Sequence, residues 1–421
     1  MSGGIVETFP GLAHSHERMF WLDGGGSRAW SGRRSILGCL GDDDVSLTYD
    51  AATREVSRHR GGRSEVVGDD PFEVLADEVA REAGDGSIRW VGYFGYASRP
   101  DLPATPARHV PDAVWMRVRN PVLIEHESAS VRGLRRRPAR VQSVPPGYAA
   151  AFERVQRELR QGNSYEVNLT YRESLTSRLP PTTAYLRLRA VTPAPYAGFV
   201  QHNGVRLLSA SPERFATVDR QGWVETRPIK GTTPRGSTPD EDARHFAQLS
   251  SDARYRAENL MIVDLLRNDL SMVCEAGTVS VPRLMEIESY PAVHQLTSTV
   301  RGRLRPGVGT VDALRALFPA GSMTGAPKLR TMQIIHSVEE SPRGVYAGAF
   351  GWVCADGRAD LGVVIRSLVA TPMSEDAAEW CYELGTGGGI TVRSEAAAEY
   401  AETRWKAEHL RFAVAPTTSR S

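Results

Sequence analysis

Two rhythms of apolar residues run along the chain. Short runs bounded by Gly, Asp and Pro predict strands, and apolar residues three and four apart predict helices. Phe20-Trp21-Leu22-Asp23 and Trp90-Val91-Gly92-Tyr93-Phe94-Gly95-Tyr96 are aromatic strand patterns suited to a packed core. Tyr148 to Arg160 reads as an amphipathic helix stopped by Gly162. From Ser164 to Tyr171 the residues alternate. Tyr165, Val167 and Leu169 share one face; Glu166, Asn168 and Thr170 share the other, which can simply meet solvent. A strand pair is expected around Ser211-Pro212-Glu213-Arg214-Phe215, where Glu213 is either a surface ion pair or a positioned acid. Asp252 to Asp269 is apolar nearly all the way round and predicts a buried helix, in which Glu258 needs a cationic partner or a metal. Residues 278–303 read as strand, turn and strand with His294 near the turn. The run from Phe318 to Lys328 opens a helix reaching about Val338; paired strands follow, carrying Tyr346 and Arg366. Glu383 to Ile390 reads as a glycine turn, and a last helix, N-capped by Ser394, reaches Phe412. It sets Glu395, Glu399, Glu402 and Lys406 on one face, a spacing that exposed salt pairing also explains. Strands interspersed with helices, without regular βαβ units, indicate an α+β fold with largely antiparallel sheets.

Composition removes several function classes. The 421 residues are 41% hydrophobic and 24% charged, with a formal net charge of +1. Such a balance leaves no electrostatic footprint for nucleic acid. The basic clump Arg135-Arg136-Arg137 with Arg140, ahead of Pro145-Pro146-Gly147, reads as a solvated linker. No run approaches the roughly 20 apolar residues of a membrane span, and Met1-Ser2-Gly3-Gly4 lacks a signal-peptide pattern. Cys39, Cys274, Cys354 and Cys381 have neither metal spacing nor disulfide density. A soluble cytoplasmic protein with reduced thiols is expected.

The stretch Arg227-Pro228-Ile229-Lys230-Gly231-Thr232-Thr233-Pro234-Arg235-Gly236 reads as a fixed loop presenting one amine. Lysine shifts its pKa readily when buried, so Lys230 in a cleft can serve as nucleophile or base; a solvated lysine is the simpler reading of these ten residues alone. Around it the sequence offers three anion-receiving elements: the glycine run, the helix start with Ser322 and Lys328, and Arg366. The Gly-Lys-Ser/Thr ending of a P-loop is missing at Gly325-Ala326-Pro327-Lys328, which removes nucleotide binding. Carboxylates on two helices could share Mg²⁺, with Glu213, His294 and Lys230 as acid, base or nucleophile candidates. A small polycarboxylate substrate follows.

Six runs in order resemble the chorismate-utilising enzymes, which include anthranilate synthase large subunits, aminodeoxychorismate synthases, and isochorismate and salicylate synthases. They are Ser211 to Phe215, Pro228 to Thr232, Glu258 to Leu270, Phe318 to Lys328, Gly385 to Ile390 and Glu399 to Thr403. The resemblance implies two mostly antiparallel sheets flanked by helices, with the substrate cleft between them. It implies a chorismate-binding catalytic domain over 148–412, a short tail over 413–421, and an N-terminal region with its linker over 1–147 packed on the core. Lys230 stands where aminodeoxychorismate synthases carry lysine and anthranilate synthases usually carry alanine. The resemblance then implies attack of Lys230 on C2 of chorismate, loss of the C4 hydroxyl, and ammonia adding at C4. Glu213 matches the general acid and His294 the histidine near that hydroxyl. Glu258 and Glu402 match the Mg²⁺ ligands, with Glu399 in the surrounding shell. Tyr346, Arg366, Gly385, Thr386 and Gly387 match the enolpyruvyl-carboxylate site; Ser322 and Lys406 match ring-carboxylate contacts, and Thr232 belongs to the same substrate wall.

Isochorismate and salicylate synthases place a water-activating lysine where this strand has Glu166, so water as nucleophile is disfavoured. Many members carry an acid where this chain has Tyr255, so the outer metal shell differs. No glutaminase segment is evident, and ammonia is expected from a separate glutamine amidotransferase subunit in a heterodimer. An anthranilate-forming enzyme is the nearest alternative; a catalytically dead scaffold is the third.

Overall fold

Two antiparallel sheets face each other across a layer of aromatic and aliphatic side chains, with helices on the outer faces. The computed structural model describes residues 2–24, 34–126, 143–290, 293–374 and 378–415. One sheet of nine strands runs in the order Gly325–Ala326, Glu166–Ser177, Trp380–Ile390, Ser367–Pro372, Val205–Ser211, Tyr196–His202, Arg18–Asp23, Arg34–Leu40 and Val122–Glu125. The other, of twelve strands, starts at Ile229–Pro234. It passes through Val293–Arg303, Trp223–Arg227, Arg214–Val218, Ala359–Val363, Ala349–Cys354, Ile88–Phe94 and Ala113–Arg119 to three N-terminal strands, with Ser280–Ser289 also on Val293–Arg303. The region before residue 147 therefore contributes strands to both sheets.

The core follows from the aromatic alternation. Phe20, Tyr196 and Leu207 from one sheet meet Val91, Tyr93 and Phe350 from the other. Each large side chain buried this way is worth about 1.5–3 kcal/mol relative to exposure. Ser2–Ser15, Pro181–Val191 and Ala396–Val414 cover the outer face of the nine-stranded sheet. Pro71–Arg81, Ala253–Ser271 and Thr310–Leu317 cover that of the twelve-stranded one.

Several local expectations change. The lysine segment is not a loop: Ile229–Pro234 is a strand at the edge of its sheet. An edge strand tolerates the flanking prolines because one side of its ladder is unpaired. The glycine run is likewise strand, not turn, inside Trp380–Ile390. Residues 166–170 are buried on both faces, so Glu166, Asn168 and Thr170 do not meet solvent, whereas Tyr165 is 72% exposed. Ala253–Ser271 buries one stripe, Asn259, Ile262, Val263, Leu266, Asp269 and Leu270, and leaves Leu260 outside. Its cap is Asp252, whose carboxylate accepts from the Arg254 and Tyr255 N–H groups at 2.8 and 3.4 Å. The last helix starts at Ala396, and Ser394 accepts from Thr391 N–H rather than capping it. The basic clump and most of the expected linker over 131–147 lie outside the described residues, as does most of the 413–421 tail. Among the described residues no helix is long and apolar enough to cross a membrane.

Candidate active site

At the point where the edge strand Ile229–Pro234 meets the glycine-bearing strand Trp380–Ile390 and two helices, a cavity of about 360 Å³ opens. Lys230 reaches it because the register slips between Ile229 and Thr232, where the strand pairs with Val293–Arg303. Gly231 makes the slip with φ +88°, and a Cβ there would stand 2.8 Å from the Tyr255 ring. Tyr255, in the place of the outer acid, thus packs against the lysine strand, and the Arg254 guanidinium lies 4.7 Å from its ring centroid.

Lys230 is 8% exposed and ion-paired to Glu166, which is 1% exposed. Burial works to lower the Lys230 amine, but the charges of Glu166 and Glu258 and the hydrogen bond to Glu166 outweigh it, and the net shift is upward. The resting amine is an ammonium. Glu166 fits because Gly389, opposite Asn168 in the ladder, has no side chain; a Cβ there would lie 2.1 Å from Glu166 Oε1. The same reason keeps residue 385 a glycine, since the Tyr346 ring fills the space a Cβ would take.

Glu213 is the positioned acid, not a surface ion pair. It is 6% exposed, and Ser322 donates to its Oε1 at 2.6 Å. Burial lifts its carboxyl to about 7, although the Ser322 hydrogen bond and the charges of Lys230, Arg366 and Lys406 pull the other way. A carboxyl with that value holds a proton near neutrality and can donate it.

Three more carboxylates line the cavity. Glu258 is raised to about 7 by burial, against the pull of Lys230. Glu399 is also raised, mainly by burial. Arg254 stands 3.9 Å from Glu258 and 3.7 Å from Glu399, too far for tight pairing. Glu402 is lowered, chiefly by Lys406 at 2.9 Å. Lys406 also donates to Gly387 O at 3.0 Å. Glu258 and Glu399, raised by burial and only loosely met by Arg254, are with Glu402 the carboxylates of this wall that could take a cation. Among the described residues, however, no three His, Cys, Asp or Glu side chains are close enough to hold a metal by themselves.

Arg366 lines the same cavity with φ +50°, a backbone conformation that a non-glycine residue keeps only when its surroundings enforce it. Its guanidinium forms no hydrogen bond or ion pair among the described residues, and burial lowers its pKa against Glu213 and Glu402. A half-buried guanidinium with no partner among the described residues can receive an anion. Tyr346, Gly385, Thr386, Gly387, Thr232 and Ser322 complete the wall. Thr386 donates its hydroxyl to Thr403 O at 2.8 Å and so ties the glycine strand to the last helix.

The chain matches the family described as chorismate binding enzyme over residues 132–411. It belongs to that family. An aminodeoxychorismate synthase of Streptomyces pristinaespiralis is 38% identical over 95% of this chain and 62% of its own length. One of Streptomyces griseus is 35% identical over 96% and 62%. The chain thus spans about three fifths of these two relatives. The anthranilate synthase component 1 of Streptomyces coelicolor is 36% identical over 88% of this chain and 83% of its own. The crystal structure of anthranilate synthase component I from Streptococcus pneumoniae superposes with a TM-score of 0.73 at 25% identity, covering 91% of this chain and 93% of that one. The fold is that of the chorismate binding enzymes.

Within this chorismate binding enzyme, His294 and Lys328 are the expected site residues that do not line the cavity. The His294 Nε2 lies 3.0 Å from Asp242 and its Nδ1 2.8 Å from the Ser289 hydroxyl. Side chains alternate along Val293–Arg303, so the strand turns Gln295 into the cavity wall and His294 to the opposite face. Lys328 is also committed elsewhere, to Asp269 at 2.7 Å and Leu317 O at 2.9 Å. Residues that the sequence reading did not single out join the wall: Asn168, Arg254, Gln295 and Trp405. The period-two alternation around His294 was the available signal for Gln295.

Proposed function

We propose that this chorismate binding enzyme aminates chorismate at C4 to 4-amino-4-deoxychorismate, as an aminodeoxychorismate synthase component I. The observation that carries the reading is Lys230 on the cavity wall, where the residue type separates this reaction from anthranilate formation. The unpaired Arg366 and the backbone of residues 385–387 suit the enolpyruvyl carboxylate, and Ser322 and Lys406 suit the ring carboxylate. Lys230 attacks C2 while Glu213 protonates the departing C4 hydroxyl; ammonia then adds at C4 and expels the lysine. Hydroxide is a poor leaving group, so a neutral carboxyl near pH 7 is the chemistry the step needs.

Glu258 and Glu402 would hold Mg²⁺, with Glu399 behind them. Carboxylates brought to one cavity wall by two helices, Glu258 on Ala253–Ser271 and Glu402 on Ala396–Val414, suit an ion that takes one or two carboxylates and keeps its waters. When bound, Mg²⁺ supplies charge stabilisation to the substrate's carboxylate. Ammonia would come from a separate glutamine amidotransferase subunit, and a lyase acting on the product would complete 4-aminobenzoate.

A second reading, anthranilate formation with loss of pyruvate, is favoured by the Streptomyces coelicolor relative, of whose length the chain covers 83%. Product analysis decides. Purified protein, chorismate, Mg²⁺ and excess ammonium should give an aminated product that retains its enolpyruvyl group and is converted to 4-aminobenzoate by an added lyase. Fluorescent anthranilate with pyruvate release would install the second reading instead.

A further inference from the structure

We propose that Glu166 is the proton acceptor that frees the Lys230 amine for attack and returns the proton when the lysine leaves. The inference rests on the aminodeoxychorismate reading and adds to it the residue that makes the nucleophile. Three observations place Glu166 in the role. It is ion-paired to Lys230 Nζ from a position 1% exposed. Its second oxygen, Oε2, is buried and has no hydrogen-bond partner among the described residues. Finally, the trough it lies in exists because residue 389 is glycine.

An ammonium has no lone pair, so Lys230 must lose a proton before it can form a C–N bond. The groups facing it are Glu166 from the strand Glu166–Ser177, Glu258 from Ala253–Ser271, Glu402 from Ala396–Val414, and Glu213 just before Arg214–Val218. Only Glu166 is hydrogen-bonded to Nζ among the described residues. Glu213 is needed in its protonated form at C4, and Glu258 and Glu402 belong to the cation. A carboxylate with a bare oxygen can also take a proton there without giving up a hydrogen bond.

The protons balance without an outside base. Lys230 ammonium passes one proton to Glu166, and the freed lone pair forms the bond to C2. Both ring double bonds shift by one position toward C4, the C4–O bond breaks, and Glu213 supplies the proton with which the hydroxyl leaves as water. Ammonia then bonds to C4, both double bonds shift back, and the C2–N bond breaks, its electron pair returning to the lysine nitrogen. The resulting amine recovers its proton from Glu166. The new C4 ammonium gives one proton to Glu213, which is restored as an acid.

The test is the rate at which Lys230 gains the mass of the dehydrated substrate, followed by intact-protein and peptide mass spectrometry after mixing with chorismate and Mg²⁺ without ammonium. Glu166→Gln should slow adduct formation about 10²- to 10⁴-fold near neutral pH, with the deficit shrinking as pH rises and bulk hydroxide takes over. Glu166→Asp should recover most of the rate. If Glu166 only anchored the lysine, the glutamine variant would lower the amine's pKa and form the adduct at least as fast as the parent. A Glu166→Gln rate within about threefold of the parent, or a deficit of one size at every pH, overturns the inference. Should that variant fail to fold, Glu166→Asp decides: the inference requires the parent's pH profile, and a rate that climbs steadily with pH overturns it. A parent that forms no lysine adduct and releases anthranilate would instead overturn the reading on which the inference rests.

Discussion

Two buried ion pairs at the strand Glu166–Ser177, Glu166 with Lys230 and Glu339 with Arg172 and Arg343, show how the same chemistry is put to different uses. Glu339 is surrounded. Its Oε1 accepts from Thr170 N–H, Thr170 Oγ1 and Arg343 Nη2 at 2.9, 2.7 and 2.8 Å, and its Oε2 accepts from Arg172 Nη2 and Arg343 Nε at 2.8 and 3.0 Å. Burial would raise its pKa, but Arg343 and Arg172 outweigh burial and hold it below the usual carboxylate range. Arg343 continues to Met323 O and Asn168 O at 2.6 and 2.9 Å, which fixes two segments of the cavity wall. Glu166, by contrast, meets one lysine and leaves an oxygen bare. A saturated carboxylate has nothing to gain from a proton and serves as a clamp; an unsaturated one beside a nucleophile can take and return one.

The two ion pairs part most widely at Lys230. Lys230→Ala should cut formation of 4-amino-4-deoxychorismate by about a thousandfold or more, while its thermal midpoint moves less than that of Glu339→Gln. Equal destabilisation by the two variants would make both pairs structural. Glu213→Gln comes next, with an expected loss of about 10²- to 10⁴-fold in turnover of chorismate. The parent's kcat/KM for chorismate should fall as pH rises through about 7, because the acid form of Glu213 is the active one and its carboxyl is lifted to about 7. A Glu213→Gln variant that kept this falling limb would assign it to another group.

Glu339→Gln tests the clamp. Removing one charge from a buried pair costs about 3–5 kcal/mol, and the loss should appear in denaturant midpoints, with chorismate turnover per folded molecule far less affected than in Lys230→Ala. The sign with pH is fixed by the downward shift. Stability from Glu339 is full above its unfolded value of about 4.3 and is lost as pH falls toward the depressed folded value. The variant should therefore lose part of the parent's acid sensitivity, and an unchanged acid limb would show that Glu339 does not carry it.

How much of this was legible beforehand depended on whether a residue's neighbours were local. The aromatic runs at Phe20 and Trp90 announce core strands because alternation is a property of the strand alone. Glu166 was harder. A polar face that meets a polar cavity alternates in the same way as one that meets water, and only the facing glycine at 389 and the lysine on the other sheet distinguish them. Lys230 and the run Gly385 to Gly389 both read as loop because Pro and Gly punctuate loops. At a sheet edge proline is harmless, and beneath the Tyr346 ring a glycine is what strand geometry requires. The helix Asp252 to Asp269 looked buried all round because an exposed leucine such as Leu260 reads the same in sequence as one packed on the core.

The same division of roles recurs, with smaller effects, between two neighbours on one strand. His294 and Gln295 are adjacent on Val293–Arg303 and face opposite ways, so the histidine belongs with the clamp and the glutamine with the cleft. His294→Ala removes hydrogen bonds to Asp242 and Ser289, at about 1 kcal/mol each, and should lower the denaturant midpoint while leaving kcat/KM for chorismate within about twofold. Gln295→Ala should do the reverse, costing up to about tenfold in kcat/KM, the worth of one hydrogen bond to a bound ligand, with little change in stability. Were His294→Ala to lose more turnover than Gln295→Ala at equal folding, the ring would have to leave Asp242 and swing through the sheet edge when substrate binds. The histidine would then return to the reacting centre as the group nearest the C4 hydroxyl.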